Sequence, residues 1–331
     1  MLRILALLAL LAGAAAADPF RIIVTDLETP LVPNAVLNLA AQEDYFDRAG
    51  VEVELVHVRQ TPMAVAALQA GQGEMANISV EALLSLHAEG ANDIVAVHSS
   101  DKALPFVIAA RKGVTLGTMA GTRFGIGQPG SLDQTLSAAV LGAKGVSLGA
   151  LVQVPLGQPA VRGQALMAGR IDATTLSIGS YLSLPDRDGL QLLVGVEDYF
   201  RAAAVVSKVN VVARATLAGR AQDLDRVLEA LTLAARDYAG DPALWVAAME
   251  RARPDVAPAT LTELAGYYRA SWTVNGGLQR DELLHAQTWY SHGMERNTRW
   301  IVDPAKWMDF APMDRVLARI GVSDLGDPVS R

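Results

Sequence analysis

Ala67-Leu68-Gln69-Ala70-Gly71-Gln72-Gly73-Glu74-Met75-Ala76-Asn77-Ile78-Ser79 reads as the end of a helix, an Ala-Gly stop, an acid, a short apolar strand and a serine placed to start the next helix. The same order returns in Ala165-Leu166-Met167-Ala168-Gly169-Arg170-Ile171-Asp172-Ala173-Thr174-Thr175-Leu176-Ser177. Two similar lobes are expected, each presenting the C-terminal end of a strand to a shared cleft.

Working outward from the first copy, strand character falls at residues 21–25, 51–58, 75–79 and 94–98. Helical periodicity falls at 33–48, 62–70 and 80–89. Around the second copy, strands are expected at 104–110, 123–126, 152–155, 171–176 and 191–194, with helices at 131–143 and 159–168. Strands that alternate with helices at this spacing predict parallel α/β sheets. After a return to β character at 204–213, five helical segments follow. Asp241-Pro242 and Asp303-Pro304 each put a capping acid before a proline, and Thr260-x-x-Glu263 has the form of a capping box.

Composition narrows the function classes. The chain has 331 residues, no cysteine and a net charge of −7. Residues 1–17 run from a basic start at Arg3 through an apolar stretch to Ala14-Ala15-Ala16-Ala17, the layout of a signal peptide, so the mature chain is expected to begin at Asp18. The lack of cysteine excludes a disulfide scaffold, a thiolate metal site and a lipidated cysteine. No block of lysine and arginine offers a footprint for nucleic acid.

Gly125-x-Gly127-x-x-Gly130 follows a strand and opens a helix, as a dinucleotide fingerprint does. No carboxylate stands where the ribose would need one, and Pro129 sits inside the turn. The turn predicts an anion site instead: Ser131 is placed as N-cap with Gln134 three residues on, and Gln128 and Gly130 leave backbone N–H groups approachable. Glu28 and Thr29 follow the first strand, Gln60 and Thr61 start a helix, and Gln158-Pro159 is the equivalent start in the second half. Asn77 and Ser79, and Thr174, Thr175 and Ser177, mark strand ends, where open α/β sheets bind ligands. Neutral donors of this kind could hold an anion, so no buried arginine is required. Lys102 is the further cationic candidate.

The five histidines show no metal-ligand spacing, and no nucleophile motif or singled-out carboxylate pair suggests catalysis. Neither a metal nor a cofactor is expected. The late aromatics, among them Tyr238, Trp245, Tyr268, Trp272 and Trp307, lie on amphipathic helices and read as packing residues. Tyr181, Tyr199 and Phe200 are the aromatics nearest the strand ends.

Tyr45-Phe46-Asp47-Arg48-Ala49-Gly50-Val51-Glu52-Val53-Glu54-Leu55, then residues 67–74, then Gly125-Ile126-Gly127-Gln128-Pro129-Gly130-Ser131 resemble the nitrate/sulfonate/taurine and thiamine-precursor (SsuA/THI5-like) group of periplasmic substrate-binding proteins. The likeness runs over roughly residues 20–215. Two departures are Asp44, where that group usually has glycine, and Glu74 in place of the commoner aspartate.

The resemblance implies a bilobal periplasmic-binding-protein type II fold with crossover strands at 104–110 and 204–213. Lobe one would comprise residues 18–106 and 206–331, with the C-terminal helices, and lobe two residues 107–205. It also implies a monomeric, non-enzymatic periplasmic component of an ABC importer, which hands a small polar or anionic organic solute to an inner-membrane permease. A thiamine-pyrimidine precursor or other flat heterocycle is the alternative solute, and a pyrimidine synthase-like enzyme the alternative function. The iron motif of those enzymes is cysteine-rich, and this chain has none.

Overall fold

A computed structural model describes residues 18–101, 105–269, 271–293, 302–326 and 329; the expected signal peptide and Lys102 lie outside the described residues. Among the described residues ten strands form two five-stranded sheets. They are β1 (Phe20–Val24), β2 (Val53–His57), β3 (Met75–Ser79), β4 (Ile94–Asp101), β5 (Phe106–Arg111), β6 (Arg123–Ile126), β7 (Val152–Pro155), β8 (Ala173–Ser177), β9 (Leu190–Val194) and β10 (Lys208–Ala213). The first sheet has the order β2-β1-β3-β10-β4 and the second β7-β6-β8-β5-β9. The two orders correspond strand for strand, so the sequence echo is a structural repeat, with β3 and β8 as equivalents. In both sheets the fourth strand, β10 or β5, runs antiparallel to its neighbours. Mixed sheets replace the purely parallel pattern expected from the alternation of elements. Neither β5 nor β10 is shared: each lies wholly in one sheet, and the chain passes between the lobes in the connections that precede them.

An arginine pins each copy of the echo. Arg21 on β1 donates through Nη2 to Gly71 O (3.1 Å) and Glu74 Oε1 (2.8 Å), while its backbone N–H donates to Glu74 Oε2 (2.7 Å). Arg123 on β6 makes the same set, to Gly169 O (2.9 Å), Asp172 Oδ1 (2.7 Å) and, from its backbone, Asp172 Oδ2 (2.8 Å). The acid of the repeat thus ties the start of one strand to the start of the next. The longer Glu74 makes the same contacts as Asp172, so that departure is absorbed without change. Arg123 is the first cause holding Asp172 below its ordinary carboxylate range, while Glu74 is lowered by Arg21 against the opposing effect of burial.

The expected helix at 33–48 is divided into a 3-10 turn (Pro33–Ala35) and helices Val36–Gln42 and Tyr45–Arg48. The break is at Asp44, whose φ of 58° is left-handed. A glycine takes that conformation without a Cβ penalty, which gives the family's usual residue here a backbone reason.

Among the described residues six helices follow residue 220: Ala221–Gly240, Pro242–Ala252, Pro258–Tyr268, Arg280–Gly293, Pro304–Trp307 and Ala311–Ile320. Asp241 and Asp303 cap as expected, accepting from Ala243 N–H and Ala305 N–H. Thr260 does not, because Pro258 starts its helix two residues earlier, with Ala257 as N-cap. The longest helix buries Leu224, Val227, Leu228, Leu231, Ala235 and Tyr238 on one face. Around it Tyr238, Trp245, Tyr268 and Trp272 pack edge-on or tilted, with ring centroids 5.3–6.5 Å apart. Among the described residues no helix is long and apolar enough to cross a membrane.

Candidate functional site

Between the two sheets, at the C-terminal ends of β1 and β8, lies a cavity of about 410 Å³. Strand ends gather there because the following loops must turn back over the sheet edge, leaving polar groups that no ladder uses. One wall comes from lobe one, through Thr25, Asp26, Glu28, Asn34, Gln60, Thr61, Lys208, Arg253 and Asp255. The other comes from lobe two, through Phe106, Leu132, Asp133, Gln158, Pro159, Arg162, Met167, Ser177 and Leu184. Gln158 Nε2 donates across to Arg59 O (2.5 Å), and Gly179 at the head of the helix Ile178–Leu182 abuts Leu31 and Tyr268. The lobes therefore touch on both sides of the cavity.

Three cationic side chains face this space, together with the carboxylates of Asp26, Glu28, Asp133 and Asp255. Lys208, at the start of β10, donates to Thr25 Oγ1 (2.5 Å). Beside it, burial pushes the Asp26 carboxyl up, opposed by the charges of Lys208 and His57. Arg162 is only 3% exposed; it donates to Gly157 O (2.5 Å) and Thr175 O (3.2 Å), lies 3.8 Å from Asp133, and keeps Nε without a partner. Arg253 grips Asp255 with two hydrogen bonds (2.9 and 2.8 Å), donates to Thr29 O, and stands 3.7 Å from Glu28. That grip holds the Asp255 carboxyl below its usual range. Arg253 is thus spoken for, whereas Lys208 and Arg162 retain donor capacity.

Of the residues singled out from the sequence, Glu28, Gln60, Thr61 and Ser177 line the cavity. Ser177 Oγ is engaged at its helix start, accepting from Ser180 N–H (3.0 Å) and donating to Ser180 Oγ (2.9 Å). Ser79 plays the same part for Ala82 N–H. Thr174 donates to Gly125 O, Thr175 pairs with Ser137, and Asn77 bonds Asn34 and Asn210, all within buried structure. Thr29 contributes its carbonyl to Arg253 and is not in the wall.

Gln128, Gly130 and Ser131 are also outside the wall. Their turn differs from the expected anion site for a clear reason: the chain's own side chains fill it. Gly127 N–H donates to Asp133 Oδ2 (2.7 Å), Gln128 N–H to Ser131 Oγ (3.3 Å) and Gly130 N–H to Gln134 Oε1 (2.8 Å). Ser131 does not cap the helix Leu132–Ala143 with its side chain. A carboxylate already occupies the place foreseen for a bound anion.

Sequence reading missed Asp26, Asn34, Asp133, Arg162, Lys208, Arg253 and Asp255. Arg162 carried a signal: it shares the buried face of its helix with Ala165 and Leu166, at spacings of three and four, where an apolar residue belongs. Arg253 and Asp255 come from the C-terminal helices and no local pattern brings them to the cleft. Tyr181, Tyr199 and Phe200 do not line the cavity; Phe106 is its aromatic side chain. Among the described residues no three histidine, aspartate or glutamate side chains stand close enough to hold a metal ion.

The family model NMT1/THI5 like matches residues 34–244. No curated protein matches the sequence. Solved structures share the fold. The alkanesulfonate-binding protein SsuA of Xanthomonas axonopodis pv. citri, bound to MOPS, is 19% identical with a TM-score of 0.70, over 89% of this chain and 100% of that one. The ligand-binding component of an ABC-type import system of Staphylococcus aureus, with zinc bound, is 16% identical with a TM-score of 0.71, over 91% and 99%. The desulfurization enzyme DSZB is also 16% identical, with a TM-score of 0.61 over 91% and 99%. At such identities the likeness is one of fold.

Proposed function

The chain belongs to the NMT1/THI5-like family, and from that premise we propose that it is the periplasmic solute-binding component of an ABC importer, which captures a small organic anion of the sulfonate class between its lobes. Residues 18–106 with 206–331 would form one jaw and residues 107–205 the other, except that Phe106, the first residue of β5, goes with the second sheet. Residues 1–17 would direct export and be cleaved off after Ala17, and the partner would be an inner-membrane permease.

The observation that carries this reading is the pair of cations on opposite walls, Lys208 from lobe one and Arg162 from lobe two, facing one cavity. A solute that bridges them is held by both lobes at once. Hydrogen bonds to charged groups contribute about 1.5–3 kcal/mol each, and micromolar binding needs about 8 kcal/mol. Lys208, Arg162, Gln60 and Thr61 together are of the right order. Leu132, Pro159, Met167 and Leu184 supply apolar wall for an organic body. A flat heterocycle fits less well, since among the described residues it would find only the aromatic face of Phe106. An enzyme that works through a thiol is excluded, because the chain has no cysteine.

Native mass spectrometry of freshly purified protein, joined to calorimetry with simple sulfonates, tests the proposal. Lys208→Met should weaken sulfonate binding at least tenfold. A protein that carries no small molecule and binds no organic anion in the cavity refutes it.

A further inference from the structure

The helix Pro159–Met167 lines the cavity from its first residue to its last, through Pro159, Ala160, Arg162, Gln164 and Met167. Its nine residues rise about 12 Å, so the cavity extends about that far along lobe two. A volume of about 410 Å³ falls in the range of sites that take drug-sized ligands. A two-carbon sulfonate would leave most of it to water.

The polar side chains gather at the start of this helix. Side chains on a helix lean towards its N-terminus, and Arg162 does so, donating to Gly157 O and Thr175 O. Gln60 Nε2 and Asp133 Oδ1 both stand against Gly127, within 3.0 Å of where a Cβ would be. Gly127 O in turn accepts from Gly157 N–H (2.8 Å), which brings these groups to the same end.

The far end is apolar. Met167 closes the helix, and Leu184 packs across it, 2.6 Å from where a Cβ on Gly163 would be; both side chains are half-buried. Pro30 and Val32 line the cavity from lobe one, and Leu31 between them abuts Gly179 in the helix that leads to Leu184. The hydroxyls on this stretch are engaged: Ser183 Oγ donates to Ser180 O (3.1 Å), and Ser180 Oγ accepts from Ser177 Oγ (2.9 Å). Arg253, next to this stretch at Thr29 O, is held by Asp255. An apolar body laid here loses no hydrogen bond and leaves water, which is favourable.

We propose that the cleft selects an elongated amphiphilic anion, with its head between Lys208 and Arg162 and its apolar body along the helix Pro159–Met167, and that Met167 and Leu184 set the length it accepts. The inference rests on the sulfonate reading above and narrows it. With C–C bonds of about 1.5 Å, an extended alkyl chain advances about 1.3 Å per carbon, so the helix spans roughly eight carbons.

Calorimetry on the mature protein with ethane-, butane-, hexane-, octane- and decanesulfonate tests this. Affinity should rise about two- to fourfold with each methylene up to octanesulfonate, at one solute per protein, and gain little from there to decanesulfonate. Met167→Trp and, separately, Leu184→Trp fill the far end. Each should weaken octanesulfonate by at least about tenfold and butanesulfonate by less than about twofold, so that retained butanesulfonate binding also shows the variant to be folded. Ethanesulfonate binding as tightly as octanesulfonate overturns the inference and leaves the sulfonate reading standing. In variants that melt as the unaltered protein does, an equal loss at both lengths overturns the role of Met167 and Leu184. Binding of none of the series overturns the sulfonate reading and this inference with it.

Discussion

Gly179 offers a way to ask whether the contact between the lobes forms when a solute is bound. A Cβ at this position would lie 2.5 Å from Leu31 O, 2.6 Å from Leu31 Cβ and 2.9 Å from the Tyr268 hydroxyl. Carbon atoms settle about 3.5–4.0 Å apart, so Gly179→Ala forces the lobes apart here by roughly 1 Å. The obstacle includes backbone and cannot rotate away. Overpacking of this kind costs about 1–3 kcal/mol. If the contact exists only in the closed form, the whole cost falls on that form, and solute affinity should drop about 5- to 150-fold. The melting temperature of the solute-free protein should hold or rise slightly, since alanine favours a helix over glycine by about 1 kcal/mol. Gly195→Ala is the control, because nothing lies within 4 Å of a Cβ there. Calorimetry and thermal melting on the two variants separate the cases. If Gly179→Ala melts earlier without its solute and binds unchanged, the contact belongs to a permanent core and the closure argument is wrong.

Further expectations concern backbone, protonation and processing. Asp44→Gly should stabilise the protein by about 0.5–1 kcal/mol in chemical denaturation, because a left-handed residue loses its Cβ penalty; a destabilised variant would show that the Asp44 side chain matters more than its φ. His98 is held neutral in the folded state while the unfolded chain protonates near pH 6.5. The stability it contributes is therefore complete above that pH and should fall by on the order of 3 kcal/mol as pH drops towards 4. His98→Gln should flatten that part of the pH–stability curve, and an unaltered curve would assign the acid sensitivity elsewhere. In an exporting host, N-terminal sequencing of the mature protein should read Asp18-Pro19-Phe20, and a retained Met1 would remove the export argument.

The fold was legible because its signals are local. The Ala-Gly stops at residues 70–71 and 168–169, the apolar strands after them and the serines that start the next helices are each set within a few residues. The repeat of that unit announced two lobes. Partner choice was not legible in the same way, because β10 finds β3 through contacts between residues more than a hundred positions apart. Of the short polar residues singled out at the strand ends, Ser177 lines the cavity, while Asn77, Ser79, Thr174 and Thr175 do not. Their own hydrogen bonds were invisible in sequence: Thr174, Thr175, Ser79 and Ser131 are committed to neighbouring backbone or side chains. The cationic groups that face the cavity come from a strand start (Lys208), a helix interior (Arg162) and a distant helical connection (Arg253), three places that only tertiary structure brings together.

The placement of β10 sets an order of assembly. The second sheet is contiguous in the chain, with every strand between residues 106 and 194, and can complete itself as soon as that stretch exists. The first sheet cannot. Its strand β4 has β10 as its neighbouring strand, apart from an isolated bridge between Ala96 and Met308, which is made later still, and β3 has no partner on that side until residues 208–213 arrive. During synthesis from the N-terminus, the earlier half of the protein must wait, with an open edge, for a segment made after the later half has finished. Such long-range closure is slow, since the entropy of a large loop is lost before any contact repays it. The nascent first lobe thus stays unfinished and threadable for most of translation, a delay written into strand order alone.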